Sequence, residues 1–182
     1  MSNSFSQYSL IEYGSLNTND LILVKKCRGE HNKLGFAYQL IFIRLFNRLP
    51  CQSPFEVIDE IVIYAGMQLR VDISTLNIYC INRKKIATHQ KIIIKHLQLN
   101  TFNDKTQNQL KEFIFQQALQ FEPISLLQIK SIEFLRSLKI LLPAQDTLLR
   151  TIKSQRVAAR QLLFDKIHTC LSPEIISKLD DL

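Results

Sequence analysis

The densest set of side chains able to do chemistry lies between Arg83 and Leu97. At about 100° per residue, Lys84, Thr88, Lys91 and Lys95 share one helical face, being spaced four, three and four apart. Ile86, Ile93 and Leu97 fall on the opposite face. Such a helix docks through its apolar side and offers ammonium groups and a hydroxyl to phosphates. A second set, Arg150, Lys153, Arg156 and Arg160, recurs at three, three and four beside Leu148, Ile152, Ala159 and Leu163. Its arginines add a planar fork that holds a phosphate or reads guanine, which an ammonium does less specifically. Spacing alone fits a solvated face of an ordinary bundle equally well, so both readings stay open.

Patterns for catalysis or metal binding are missing from the sequence. His31, His89, His96 and His168 form no H-E-x-x-H spacing, and two helical turns separate His89 from His96, too far for one metal. Ser and Thr have no G-x-S-x-G context. Asp59-Glu60 and Asp180-Asp181 read as surface or helix-end charge. Cys27, Cys51, Cys80 and Cys170 are scattered with no C-x-x-C pair, which predicts reduced thiols in a cytoplasmic protein, not a disulfide framework or a zinc site. The expectation is no metal, no cofactor and no small-molecule substrate.

Charge distribution favours a polyanionic partner. The formal net charge is +7, and residues 61–100 hold +5 of it, with six basic side chains against Asp72 alone. Residues 1–60 balance six basic against six acidic, and residues 101–182 carry eleven against nine. A concentrated excess suits nucleic acid better than it suits general solubility.

The elements that must position these side chains read almost entirely at helical period. With 182 residues, 46% of them hydrophobic, the chain can build one large or two small cores. Four Gly and no Trp argue against a turn-rich β fold and against a Gly-rich phosphate cradle. Asn17 or Thr18 caps a first helix through Val24, ended by Gly29, and Glu30 or Asn32 opens a long one to about Leu49. Further helices are expected over Phe55–Gln68, from a Ser74 cap through Tyr79, and over Arg83–Leu97, Asp104–Phe121, Ser125–Leu138, Asp146–Cys170 and Pro173–Asp181. No strand pair or N-G or D-G hairpin signal is present. The fold class is all-α: two helical bundles of helix-turn-helix type packed in tandem, without significant β-sheet. Residues 1–98 and 99–182 are the expected units, with the boundary at about 97–108. Met1 to Asn17 lacks Lys, Arg and an apolar run, so it is not a secretory signal, and Tyr38–Leu49 is too short for a membrane span.

The stretch Arg28-Gly29-Glu30-His31-Asn32-Lys33-Leu34-Gly35-Phe36-Ala37, followed by Gln39-Leu40 and Arg44, resembles a signature of known transposases. These are the transposases of class II replicative transposons, the Tn-three family, near their N-terminus. The similarity extends to Asp20-Leu21 ahead of the motif, then to Gln68-Leu69, Tyr79, His89, and Leu142-Pro143 followed by Thr147-Leu148, covering about Leu16 to Leu171. The family's usual arginine-rich run before Gly29 is Lys25-Lys26-Cys27-Arg28 here. The resemblance implies binding of double-stranded DNA at the transposon's terminal inverted repeats through helical modules. Cleavage and strand transfer belong, in that family, to a distant C-terminal domain with an Asp-Asp-Glu metal site, so this chain is expected not to be an enzyme on its own. Transposase self-association is a further implied partner, and a cytoplasmic, nucleoid-associated location follows from DNA binding.

Within the motif two readings stand side by side. Lys25, Lys26, Arg28, Lys33 and Arg44 are candidates to reach DNA. Gly29, Gly35 and Phe36 are expected to be scaffold, Gly29 in a left-handed turn and Phe36 fixing the angle between helices. His31, Asn32 and Gln39 fit either role. The rival to DNA binding is an all-α interaction or regulatory fragment that pairs with intact transposase. RNA binding is disfavoured because Phe and Tyr fall inside apolar helix patterns, not between the basic residues.

Overall fold

Asn17, Asn82 and Asn103 set the starts of three helices, each through a side-chain oxygen that takes up otherwise orphaned backbone N–H groups. The structure is a computed structural model and describes residues 7–170. Among the described residues it is all-α, with no sheet, and an isolated bridge pairs Gln52 with Phe55. The expected helix over Pro173–Asp181 lies outside the described residues. The chain divides into two compact units, one ending at Asn100 and one beginning at Thr101.

The first unit is built around α3 (Glu30–Phe46). Ten consecutive residues of α3, Leu34 to Ile43, are buried, so it is a core helix covered on every side. Packed on it are α1 (Gln7–Gly14), α2 (Thr18–Lys25), α4 (Asp59–Leu69), α5 (Leu76–Cys80) and α6 (Arg83–His96). Helix α1 is not legible in the pattern, because Leu10 and Gly14 are its buried residues among those described. Gly14 lets it lie close: a Cβ there would sit 3.0 Å from the Tyr64 ring.

Asn17, of the two candidates, caps α2 and forms a reciprocal box with Asp20, whose carboxylate accepts the Asn17 N–H at 2.9 Å. Gly29 is itself the N-cap of α3, at φ +82° and ψ 147°, a backbone region that L side chains rarely enter. Neither Glu30 nor Asn32 caps it, and the Asn32 amide instead donates back to the Arg28 carbonyl at 2.7 Å. The helix stops at Phe46, short of Leu49, because Asn47 turns left-handed.

Helix α4 begins at Asp59, four residues later than expected from Phe55. The intervening backbone has other partners. Tyr38 Oη donates to the Glu56 carbonyl at 2.7 Å and accepts from the Ile58 N–H at 3.2 Å, while Glu56 holds the Arg48 guanidinium with both carboxylate oxygens. A 3-10 turn (Ile73–Thr75) precedes α5 and is capped by Asp72, which accepts from the Ser74 N–H at 3.0 Å, so Asp72 takes the role expected of Ser74. Only Ile81 and Asn82 separate α5 from α6.

The second unit packs α7 (Asp104–Ala118), α8 (Ile124–Ser137) and α9 (Gln145–Cys170) against one another. Leu110, Ile114, Leu127, Leu135 and Ile152 form its core, and Phe113 stacks on Phe134 at 4.3 Å. Residues 138–144 connect α8 to α9. Helix α9 outruns its support: from Phe164 to Cys170 every residue is exposed.

Candidate nucleic-acid interface

Helix α6 contains no acidic residue. Lys84, Thr88, Lys91 and Lys95 are all exposed, and Ile86 and Ile93 are buried on the side that packs on α3. The stripe inferred from spacing is therefore a solvent-facing one. The Thr88 hydroxyl donates to the Lys84 carbonyl at 2.8 Å, so its proton stays inside the helix and the three lysines carry the face's donors. Arg83, Lys84 and Lys85 crowd the first turn, the positive end of the helix dipole, where cations are disfavoured.

Polar contacts add to this apolar packing in holding α6 in place. Tyr79 Oη meets His89 Nδ1 at 2.9 Å, and the rings stack with centroids 5.4 Å apart. The Gln39 amide donates to the same Tyr79 oxygen and, at 3.4 Å, to the Ile86 carbonyl. Phe36 meets the His89 ring edge-on at 5.2 Å. Gly35 is required by this contact, since a Cβ there would lie 2.2 Å from the Tyr79 ring. Burial, aided by the Lys85 charge, pulls the His89 pKa down to about 4, so the ring is neutral at physiological pH.

A second anchor lies at the far end of α6. The carboxylate of Asp20, fully buried, accepts from Arg44 Nη2 at 2.7 Å and meets His96 Nε2 at 2.7 Å. Arg44 also donates to the Ser15 carbonyl at 3.3 Å. Arg44 is thus engaged inside the unit, and Asp20 ties α2, α3 and α6 together. The partner of Arg44 lies 24 residues away, so the local pattern presents it only as a candidate to reach DNA. His96 gave no signal beyond its failure to pair with His89.

The motif cations divide between two hollows. Lys26 and Arg28 face Lys85 and Thr88 across a groove of about 590 Å³, with the His89 ring and Cys27 on the same lining. Leu23, Phe36 and Ile92 supply its apolar walls, and no acidic residue lines it. Cys27 Sγ lies 3.8 Å from His89 Nε2, and burial pushes the thiol pKa up. Lys25 and Lys33 line the second hollow, about 320 Å³, with Glu30 and Arg70. The His31 ring packs over Gly29, 2.9 Å from where a Cβ would be.

In the second unit Arg150, Lys153 and Arg160 are exposed and Arg156 is half-buried, while Leu148, Ile152 and Ala159 are buried beside them. Arg150 Nε donates to the Asp146 carbonyl at 3.3 Å. Among the described residues no carboxylate pairs with these four cations or with Lys26, Arg28, Lys84, Lys85, Lys91 or Lys95. No group of three or more His, Cys, Asp or Glu suited to a metal occurs among the described residues, and no described helix is long and apolar enough to cross a membrane.

Comparison with known proteins agrees with the resemblance in the motif. Residues 1–154 match the family model described as a domain of unknown function, DUF4158. The chain is 30% identical to the transposase for transposon Tn1546 of Enterococcus faecium over 174 residues, which is 96% of this chain and 18% of that protein. It is 26% identical to the transposase for transposon Tn501 of Pseudomonas aeruginosa over 97% of the chain and 18% of the relative. With the transposase for transposon gamma-delta of Escherichia coli K12 it shares 27% identity over 87% of the chain and 16% of the relative. The chain therefore spans about a sixth of the length of these transposases.

Proposed function

Because the chain belongs to the DUF4158 family and is similar along nearly its whole length to transposases, we propose that it binds the terminal inverted repeats of a transposon. It does so as the N-terminal DNA-reading part of a transposase. The observation that carries this reading is the acid-free, solvent-facing cation stripe of α6. Three cations in the first turn of a helix are unfavourable in the free protein, and a phosphate placed beside them is attracted both by the cations and by the positive end of the helix.

In this reading α5, the two-residue link and α6 act as a helix-turn-helix, with α6 in the major groove and its lysines on flanking phosphates. The arginine-bearing face of α9 in the second unit contacts a separate stretch of the same repeat. Strand cleavage belongs to other parts of a transposase, and the module acts in the cytoplasm on nucleoid DNA.

Gel-shift titration tests this with a duplex of the element's own inverted repeat against a scrambled duplex of equal length. Tighter binding to the repeat is the expected result, and equal affinity removes the sequence-specific claim. The rival reading, an interaction fragment that pairs with intact transposase, draws on Val157, Phe164 and Ile167, which stand 68%, 66% and 53% exposed on α9. Light scattering with and without duplex separates the two, since an interaction fragment gains no mass from added DNA.

A further inference from the structure

The groove between the α2–α3 turn and α6 is not explained by the stripe on α6. Lys26 and Arg28 approach it from one side and Lys85 from the other, across 57 positions of sequence between Arg28 and Lys85. Like charges converging on one hollow repel, and no carboxylate among the described residues forms an ion pair with them. Lys85 is half-buried and lines the hollow together with His89 and Cys27.

We propose that this groove seats one phosphate of the DNA backbone, gripped by Lys26 and Arg28 from the turn and by Lys85 from α6. The inference rests on the DNA-binding reading above and names the grip within it. The volume of about 590 Å³ lies in the range of small-ligand sites, and Leu23, Phe36 and Ile92 suit the C–H face of the adjoining deoxyribose. His89 supplies no charge: its ring is neutral and its Nδ1 is engaged by Tyr79. Its part is positional, as is that of Gly35, Phe36 and Gln39, which fix α6 against α3 and so set the distance between the two sets of cations. Gly29 does the same for the turn, bending the chain directly after Arg28. A grip whose jaws are held before the ligand arrives loses little freedom on binding.

The test uses the full 182-residue chain and fluorescence anisotropy. The probes are the inverted-repeat duplex and a series of the same duplex, each with a single phosphate replaced by a neutral methylphosphonate. At one position the wild-type chain is expected to lose about ten-fold in affinity, the scale of one charge-assisted hydrogen bond. The R28A/K85A variant loses about ten-fold on the unmodified duplex and is then indifferent to that methylphosphonate, whereas K91A/K95A keeps the full penalty there. If R28A/K85A binds as tightly as wild type while K91A/K95A weakens, or retains every methylphosphonate penalty, the groove assignment is overturned and DNA binding stands. A wild-type chain that binds no duplex overturns both.

Discussion

Asp20 Oδ1 and His96 Nε2 meet at 2.7 Å although 76 positions separate them in the sequence. The contact joins the first turn of α2 to the last residue of α6, and Arg44 of α3 enters it from a third direction. A carboxylate without exposure is expensive unless such partners surround it. The basic helix is therefore located by an acid that the surface never shows.

The Asp20→Asn variant keeps a capping oxygen for Asn17 but removes the charge facing Arg44. It is expected to lose about 3 kcal/mol of stability, because a half-buried guanidinium is left uncompensated. Urea midpoints for D20N and wild type measure this, and an unchanged midpoint would remove the anchoring role assigned to Asp20.

At Gly35 a methyl group collides with the Tyr79 ring. The G35A variant is expected to lose about 3 kcal/mol through overpacking, mainly by displacing Tyr79 from His89. Thermal unfolding followed by circular dichroism reads the loss. A comparison with Gly66→Ala, whose nearest obstacle is an Ile73 methyl at 2.6 Å, shows whether the ring is the less yielding neighbour.

Stability should fall as the medium is acidified, in a window that belongs to His89. Its folded pKa is depressed to about 4 from the usual 6.5, so between these values the unfolded chain binds the proton and the folded chain does not. Stability is then lost as pH drops from about 6.5 toward 4, by about 2–3 kcal/mol. Urea midpoints taken across that window should slope in wild type and flatten in His89→Gln. Glu56, held below its ordinary range by the Arg48 hydrogen bonds, adds a loss of the same sign at lower pH.

On α6, alanine at Lys84, Lys91 or Lys95 should weaken binding to repeat and scrambled duplex alike. The dependence of log K on log salt should flatten by about one unit for each phosphate left without its lysine. Arg44→Ala should leave that slope unchanged while lowering stability, since Arg44 is paired with Asp20. Anisotropy titrations at several salt concentrations read both. Identical slopes in wild type and the lysine variants would rule out the stripe as a phosphate track.

The all-α class, the boundaries of α2 and α6 and the start of α9 were legible because apolar period and local caps act over a few residues. Helix α3 was legible as a helix but not as a core, since burial from Leu34 to Ile43 leaves no polar face to orient it. The start of α4 escaped because Tyr38 and Arg48, on the chain before it, occupy the backbone and side chain of Glu56. Of the candidate site, the α6 stripe was visible from spacing alone. Lys85 was not, because it sits off the stripe, and its significance comes from Lys26 and Arg28, which only the packing of α2, α3 and α6 brings near.

The exposed end of α9 has a consequence for phase. From Phe164 to Cys170 every residue of the helix is exposed, so this stretch holds its heading as a stiff rod does. Each residue inserted there would swing that heading by about 100° and advance it about 1.5 Å, and only an insertion near a whole number of turns would restore it. Length tolerance along these seven residues (Phe164–Cys170) should accordingly be periodic, with insertions of four tolerated better than insertions of two.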